Sequence, residues 1–567
     1  MIKGMDKSNF KVRQSLSSTI AYLLVTFLQS PIPKKKSSSQ PAPPSYPVID
    51  EALSILYNAF IKYSSREILT GIIECYASFY QKMGIQWIED NYALILNHTL
   101  SLLKNTKSDQ NSSLIVSEYC KYLLRNVIGK ILSEGAQNNA VKIIVNDHIK
   151  KVLANKTFTE QVDLEMKCVL DELSALLLDL GPALVYVPEV IKALNAIVSY
   201  PNRAVNITTA WCIRCFCKQN STYIYQEISY FVNQLNNAET SLDENNENSI
   251  DNYISFCYPL ATLITLIPQR SLNVSIATAA QLFNYSNHIL KSIQGNQTSN
   301  LPIKVMDAKI QVAWTIIDAL MSLGPKFVKV HLTQLLNLWK NALPKISMKD
   351  NSIQYTEKEL THQIESRSYA LSALHSFLEY NDDGLINVDV SKRIVICLNN
   401  VLAFISSLPK YYSNILSNTL NTQSLINSAA NTTLTVSFTS SPNTLKNVIE
   451  KEYLMKKRLY QCYCKFSDPS VYEMAQTILL KATLELIAPD YEKNTNPFTG
   501  NINSHAINSS ILASSYTTSL IKGIRVEVAS DLGLIDRGIN SIVTSDYDVQ
   551  RIEELVSIFN YIYYYCN

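Results

Sequence analysis

The tripeptide Leu-Gly-Pro occurs twice in the same setting, in "LLDLGPALVYVPEVIKALNAI" (Leu177 to Ile197) and in "LMSLGPKFVKVHLTQLLNLW" (Leu320 to Trp339). Glycine accepts the left-handed backbone that ends a helix, and proline cannot continue that helix but can open the next one. Each site is therefore predicted to be a corner between two helices. Before the second corner Val312, Ala313, Ile316, Ile317, Leu320 and Leu323 recur at helical spacing. After it Val328, Leu332, Leu335, Trp339 and Leu343 do the same until Pro344. A third corner at Gly84 lacks the proline. Trp87, Leu184 and Phe327, three positions past the glycines, are expected to wedge between the paired helices.

A chain of 567 residues exceeds what one hydrophobic core can serve, so it must form several domains or an array of repeats. With only 13 glycines, and without Asn-Gly or Asp-Gly turns between alternating runs, an all-helical array is the better fit. The corners share no common period, which points to divergent helix pairs. Several predicted helices carry a basic residue ahead of small and apolar positions: "SREILTGIIECYASF", "NRAVNITTAWCIRC", "DAKIQVAWTIIDAL" and "ESRSYALSALHSF". That is the outline of HEAT repeats, so the predicted fold is an all-α, armadillo-like α-solenoid of divergent HEAT-like helical hairpins.

The organisation read from the sequence starts with an amphipathic helix over 1–29 and a Pro/Ser/Lys linker over 30–47. HEAT-like repeats are expected over 48–232 and 253–417, separated by a polar acidic loop at 233–252. A polar low-complexity loop at 418–444, a helical repeat at 445–490, a polar loop at 491–515 and terminal helices over 516–567 complete it. The linker reads as an extended interhelix loop, with a recruited SH3- or WW-binding peptide as the alternative. "IAYLLVTFL" (Ile20 to Leu28) follows a basic stretch like a signal peptide, but no small-x-small cleavage site precedes Pro31, and it is read as a helix. Other apolar runs are broken well short of the roughly 20 residues that span a bilayer.

Charge excludes more than it suggests. Fifty Lys and Arg against 48 Asp and Glu leave +2, so no global field draws the chain to nucleic acid or to an anionic membrane. Eleven scattered cysteines without framework spacing fit reduced thiols in the cytosol. HExxH, GxSxG and Gly-rich phosphate loops are missing from the sequence, which argues against an enzyme.

The nearest approach to a metal motif is Cys212, Cys215 and Cys217 in "WCIRCFCKQ". No second pair completes four ligands, so these read as buried structural thiols. Cys462 and Cys464, two apart, fall on different helix faces. His98, His148, His288, His331, His362, His375 and His505 form no pair at ligand spacing and default to solvated or helix-face roles. The basic run "EKEYLMKKRLYQCYCK", with Lys451, Lys456, Lys457 and Arg458, could suit phosphates but is read as a solvated face. Trp and Tyr at helical spacing are read as core. No catalytic, cofactor-binding or metal residue is assigned, no cofactor is called, and the partner-binding residues stay unassigned.

Four segments in order, "SREILTGIIECYASFYQKMGIQWIEDNYALIL", "TTAWCIRCFCKQ", "DAKIQVAWTIIDALMSLGPKFVKVHLTQLLNLWKNALP" and "ESRSYALSALHSFLEYN", resemble the amino-terminal portion of the HEAT-repeat-containing protein 5 family. That family includes the large accessory protein of the trans-Golgi clathrin adaptor. The resemblance covers about Asp50 to Leu408, with a weaker echo at "LMKKRLYQCYCKF". It implies a long cytosolic, non-enzymatic trafficking scaffold whose partners are the clathrin adaptor and its accessory subunits. Peripheral membrane association would run through those partners, at the trans-Golgi network, endosomes and endocytic vesicles, in endocytosis, retrograde endosome-to-Golgi transport and protein localisation. Family members are several times longer, so a fragment, a truncated paralogue or a shortened gene product are all open, and sites in the missing part are not carried over. A nuclear transport receptor or a phosphatase scaffold built from the same repeats is the alternative, with a helical enzyme behind both.

Overall fold

The computed structural model describes residues 1–30, 49–105, 110–156, 158–268, 276–294, 302–345, 355–429, 441–463 and 465. Every regular element among them is helical. The chain divides into two compact units, Met1–Gln226 and Glu227–Asn567.

The first unit contains α1 (Phe10–Gln29), α2 (Ile49–Lys62), α3 (Arg66–Met83), α4 (Ile85–Asp90), α5 (Tyr92–Ser101) and α6 (Gln110–Lys121). After them come α7 (Glu134–Ile143), α8 (Lys151–Asn155), α9 (Glu160–Leu180), α10 (Val187–Ile197) and α11 (Arg203–Gln219). α6 runs on into a π-helical stretch, Tyr122–Ile128, and a second one, Ile144–Lys150, joins α7 to α8. The wider coil is visible where the Gly129 amide donates to the Leu124 carbonyl, five residues back, at 2.7 Å. α3 packs along α1, and α11 along α9, while the first π stretch lies against α3 and α6 against α9. This makes one row of helices. α2, α4–α5, α7–α8 and α10 form the other row, with the second π stretch beside α10.

α12 (Tyr223–Thr240) carries the boundary. The second unit continues with α13 (Glu247–Ile264), α14 (Ile276–Gln294), α15 (Ile303–Met321), α16 (Pro325–Ala342), α17 (Glu357–Tyr380), α18 (Asp382–Leu385), α19 (Val388–Ala429) and α20 (Ser441–Tyr463). α15 packs between α13 and α17, and α17 between α15 and α20, while α14, α16 and α19 make the opposing row. Helices thus stack on neighbours within their own row and pack against hairpin partners across it. That order of packing is an α-solenoid of HEAT-like hairpins.

Local chemistry explains the hairpins. Gly84, Gly181 and Gly324 all have positive φ, at 87°, 54° and 86°, the conformation a side chain would resist. Pro325 opens α16 directly after its glycine. Polar caps start other helices: Asn202 accepts from Ala204 N and Val205 N, and Thr356 with Glu359 forms a reciprocal capping box on α17. At Gly71 the first unit packs closely, and a Cβ there would sit 2.5 Å from Met5 Sδ and push that side chain aside. The close approach also lets Ser17 Oγ donate to the Gly71 carbonyl at 2.9 Å.

The corner residues differ in detail from expectation. Leu184 is buried, but Trp87 is half-buried against Phe79, and Phe327 is half-buried beside His331. At Gly84 and Gly324 the wedge is one residue later, at Ile88 and Val328, both 0% exposed. After Gly181 a short 3-10 turn, Gly181–Ala183, tightens the chain and brings Leu184 inward instead. Beyond the Gly324 corner Trp339 does the bridging: its ring stacks on Trp314 at 6.4 Å and its Nε1 donates to the Ala370 carbonyl at 3.1 Å.

Three boundaries are corrected. The segment 233–252, expected to be a polar acidic loop, is the end of α12, a turn at residues 241–246, and the start of α13. Leu235, Ala238 and Ile250 hold its helical parts to the core, and the polar residues occupy the exposed faces. α19 runs to Ala429, beyond the loop start expected at 418, and α20 begins at Ser441 rather than 445. Asn, Ser and Thr have modest helix propensity, and propensity yields to context. The expected linker from residue 31 on, the loop at 430–440, the repeat beyond 466, the loop at 491–515 and the helices at 516–567 lie outside the described residues. Among the described residues, no helix is long and apolar enough to cross a membrane.

Candidate functional site

A groove opens in the first unit where the π stretch and α8 run beside α10. Its main bay, of about 460 Å³, is lined by Lys150, Leu153, Pro188, Glu189, Lys192, Ala193 and Ala196. A second bay of about 170 Å³ shares Glu189 and adds Val141, Lys142, Val145, Asn146, Tyr186 and Val190. The floor is apolar and packed, since Val141, Val145, Val190 and Ala193 are buried. The rim is cationic. Lys142 Nζ sits 5.7 Å from the centre of the Tyr186 ring, and Lys150 Nζ donates to Asn146 Oδ1 at 2.9 Å. Lys142, Lys150 and Lys192 make no ion pair with the described residues.

A larger notch of about 570 Å³ lies beside the turn between α12 and α13, lined by Glu244, Asn245, Asn246, Glu247, Asn248 and Lys304. Its lining is wholly polar, and Lys304 is bonded to Glu247 at 2.6 Å. It offers no apolar floor to a ligand.

The basic run of α20 is not the solvated face expected from sequence. Lys451 reaches Glu365 on α17 at 2.5 Å, Lys465 reaches Glu379 at 3.6 Å, and Arg458 donates to Ser368 Oγ at 2.9 Å. Lys456 pairs at 3.0 Å with Glu452, which is 1% exposed and also accepts from Tyr412 Oη at 2.7 Å. Lys451, Arg458 and Lys465 fasten this end of the chain to α17, while Lys456 neutralises an acid on its own helix. α17 is held to α15 in the same way, as Ser372 and Ser376 both donate to Asp318, and His362 bonds Asp307. In the α13–α15 layer Glu239 accepts from Tyr285 Oη at 2.7 Å and Lys309 Nζ at 2.9 Å, and Tyr253 Oη lies 2.9 Å from Tyr285 Oη.

Cys212, Cys215 and Cys217 are all buried in α11. Burial pushes the Cys212 thiol up and the Cys215 thiol up to about 11, so neither is a thiolate at neutral pH. Cys462 donates to the Leu371 carbonyl at 3.5 Å, and Cys464 lies outside the described residues. Among the described residues no group of His, Cys, Asp and Glu is placed to hold a metal ion.

The histidines are more engaged than their default reading allows. His98 Nε2 lies 2.8 Å from Tyr76 Oη, and burial lowers its pKa to about 4. His331 packs on Phe283 at 4.2 Å, and His375 lies 3.7 Å from Glu379. His505 lies outside the described residues.

Glu172 and Arg367 also sit deeper than the sequence suggests. Burial drives the Glu172 carboxyl up to about 7, with Arg125 opposing and Asp179 reinforcing the shift. Its Oε1 has no hydrogen-bond partner among the described residues. Arg367, 7% exposed, lies 4.1 Å from the Phe404 ring and donates to the Gln363 carbonyl and side chain at 2.8 and 2.6 Å. Burial lowers its pKa to about 10, leaving it a cation.

Sequence reading missed the groove because its lysines are scattered over two helices that only the stacking of neighbours within one row brings together. The one linear hint is the recurrence of Lys142, Asn146 and Lys150 every four residues, which lines polar groups along one side of a helix.

The packing order and the site define a class, an all-α protein of HEAT-like hairpins with a groove between neighbouring helices. No protein-family model matches the chain. Among solved structures it is similar to importin beta, crystallised in an ammonium sulfate condition, at 9% identity and a TM-score of 0.33, over 100% of this chain and 69% of that one. At that distance the likeness says nothing about partners or activity.

Proposed function

We propose that the chain is a non-enzymatic protein-binding scaffold of the HEAT-repeat-containing protein 5 type, serving clathrin-adaptor-dependent transport between the trans-Golgi network and endosomes. One observation carries the scaffold reading. Several polar side chains that could do chemistry are instead engaged between helices, as with Asp318, which accepts from Ser372 and Ser376, and Glu452, which accepts from Tyr412. Groups so engaged hold layers in register, and what remains for function is the shape and charge of the exposed rows. The trafficking assignment rests on the four segments between Asp50 and Leu408 that resemble the family. On this reading the chain reaches membranes through its partners.

The test is affinity purification of the tagged full chain from cytosol, with quantitative mass spectrometry against a tag-only control. Clathrin-adaptor and accessory subunits should be enriched. Enrichment of importin cargo or of a phosphatase catalytic subunit in their place overturns the trafficking assignment, and no specific partner at all overturns the scaffold.

A further inference from the structure

We infer that the groove between the Ile144–Lys150 π stretch with α8 and the neighbouring α10 is a docking site for a short acidic peptide segment of a partner protein, with apolar anchors between its carboxylates. The inference rests on the scaffold reading above and names the chemistry of one of its partner sites.

Charge is the first argument. Lys142, Lys150 and Lys192 face the groove against a single acid, Glu189. On α20 and just past its end, by contrast, Lys451 and Lys465 each have a carboxylate on the adjacent helix. Where a row closes, the fold sets acids opposite its cations; along this groove the cations face a cleft. Carboxylates on an incoming segment would complete the pairing that the described residues do not supply.

Shape is the second. Buried Ala193 floors a bay of about 460 Å³, where Leu153 and Ala196 extend the apolar lining, and buried Val145 floors the adjoining bay of about 170 Å³. Such a floor takes aliphatic side chains, while the lysine stems cover apolar surface and keep their ammonium groups at the rim. The combination selects a peptide over a nucleic acid. Three lysines neutralise too few phosphates for salt-resistant binding, and the chain's net charge of +2 adds no long-range field. The backbone is the third argument: the wall is a π-helical stretch, an irregularity that concentrates at functional sites.

The experiment uses the full chain and a fluorescein-labelled peptide alternating Asp and Glu with Leu, read by fluorescence anisotropy. A second peptide carries Asn and Gln in place of the acids. Phosphatidylserine vesicles and a short RNA duplex are run in parallel. The acidic peptide should bind, with affinity falling as salt rises, and its neutral counterpart should not. Lys150→Glu with Lys192→Glu should weaken binding by about tenfold or more. Ala196→Trp, which fills the bay without changing charge, should also abolish it. Circular dichroism and thermal melting of both variants show whether the fold persists. If the Glu variants misfold, Lys150→Ala with Lys192→Ala gives the same readout. Equal binding of the neutral peptide, undiminished binding by Ala196→Trp, or lysine-dependent binding of vesicles or RNA in place of the peptide overturns the inference. If the tagged variants still enrich the wild-type partners while the peptide fails, the groove proposal falls and the scaffold stands.

Discussion

α20 and the α8–α10 groove both present lysines on exposed helix faces, yet the lysines differ in what faces them. On α20 and just past its end the basic run is consumed: Lys451 and Lys465 reach acids on α17, and Lys456 neutralises the buried Glu452. Along the groove Lys142, Lys150 and Lys192 meet an aromatic ring, an amide and solvent. A cluster of like charges in a helical array is thus not a surface property until the neighbouring row is known. In the closed layer a cation sets register. Beside a cleft it is left for a partner.

The comparison breaks most easily at the closed layer. Trp339→Ala removes the ring that stacks on Trp314 and donates to α17, and should cost about 3–5 kcal/mol in denaturant unfolding of the full chain. A loss below about 1 kcal/mol would mean that the α15–α17 layer does not depend on this bridge.

A buried acid with an unpartnered carboxyl oxygen sharpens the contrast from the other side. The Glu172 pKa is raised from 4.5 to about 7 in the folded state, so folding takes up a proton between those values. Its contribution to stability is therefore full below about pH 4.5 and is lost as pH rises through about 7. Glu172→Gln should leave stability at pH 4.5 nearly unchanged and raise it by about 3 kcal/mol at pH 8, measured by unfolding at both values. An equal gain at both would separate the effect from titration. Asp318→Ala is smaller: it frees Ser372 and Ser376 and should cost about 2 kcal/mol, with Asp318→Asn recovering part of the loss.

Much of this architecture was legible in the chain, and the reasons are local. The Leu-Gly-Pro corners depend on backbone preferences that act within a few residues, and they stand where expected at Gly181 and Gly324. The apolar stripe from Val312 to Leu320 needs only helical periodicity to be placed in the core. What failed depended on partners distant in sequence. The segment 233–252 looks like a loop until Leu235 and Ile250 are seen buried in the core. The α20 cations look solvated until Glu365 and Glu379, about 86 residues away, come opposite them. The groove was invisible for the same reason, because α10 supplies Lys192 and the α7–α8 helix supplies the rest.

The smallest expected effect is the one that most directly separates the two regions. Lys150→Ala with Lys192→Ala should change unfolding free energy by less than about 0.5 kcal/mol, because neither ammonium group pairs with a carboxylate among the described residues. Lys456→Ala should cost more, since it strips the ammonium from Glu452, 1% exposed, leaving that carboxylate with less to offset its desolvation. Both are measured as shifts in denaturant midpoint at one pH and salt concentration. Similar shifts for the groove pair and for Lys456 would mean that the groove lysines stabilise the fold as the α20 cations do, and that the difference in their partners has no energetic meaning. A silent groove pair beside a costly Lys456 would show that the fold tolerates cations it does not use, which is the condition a binding rim requires.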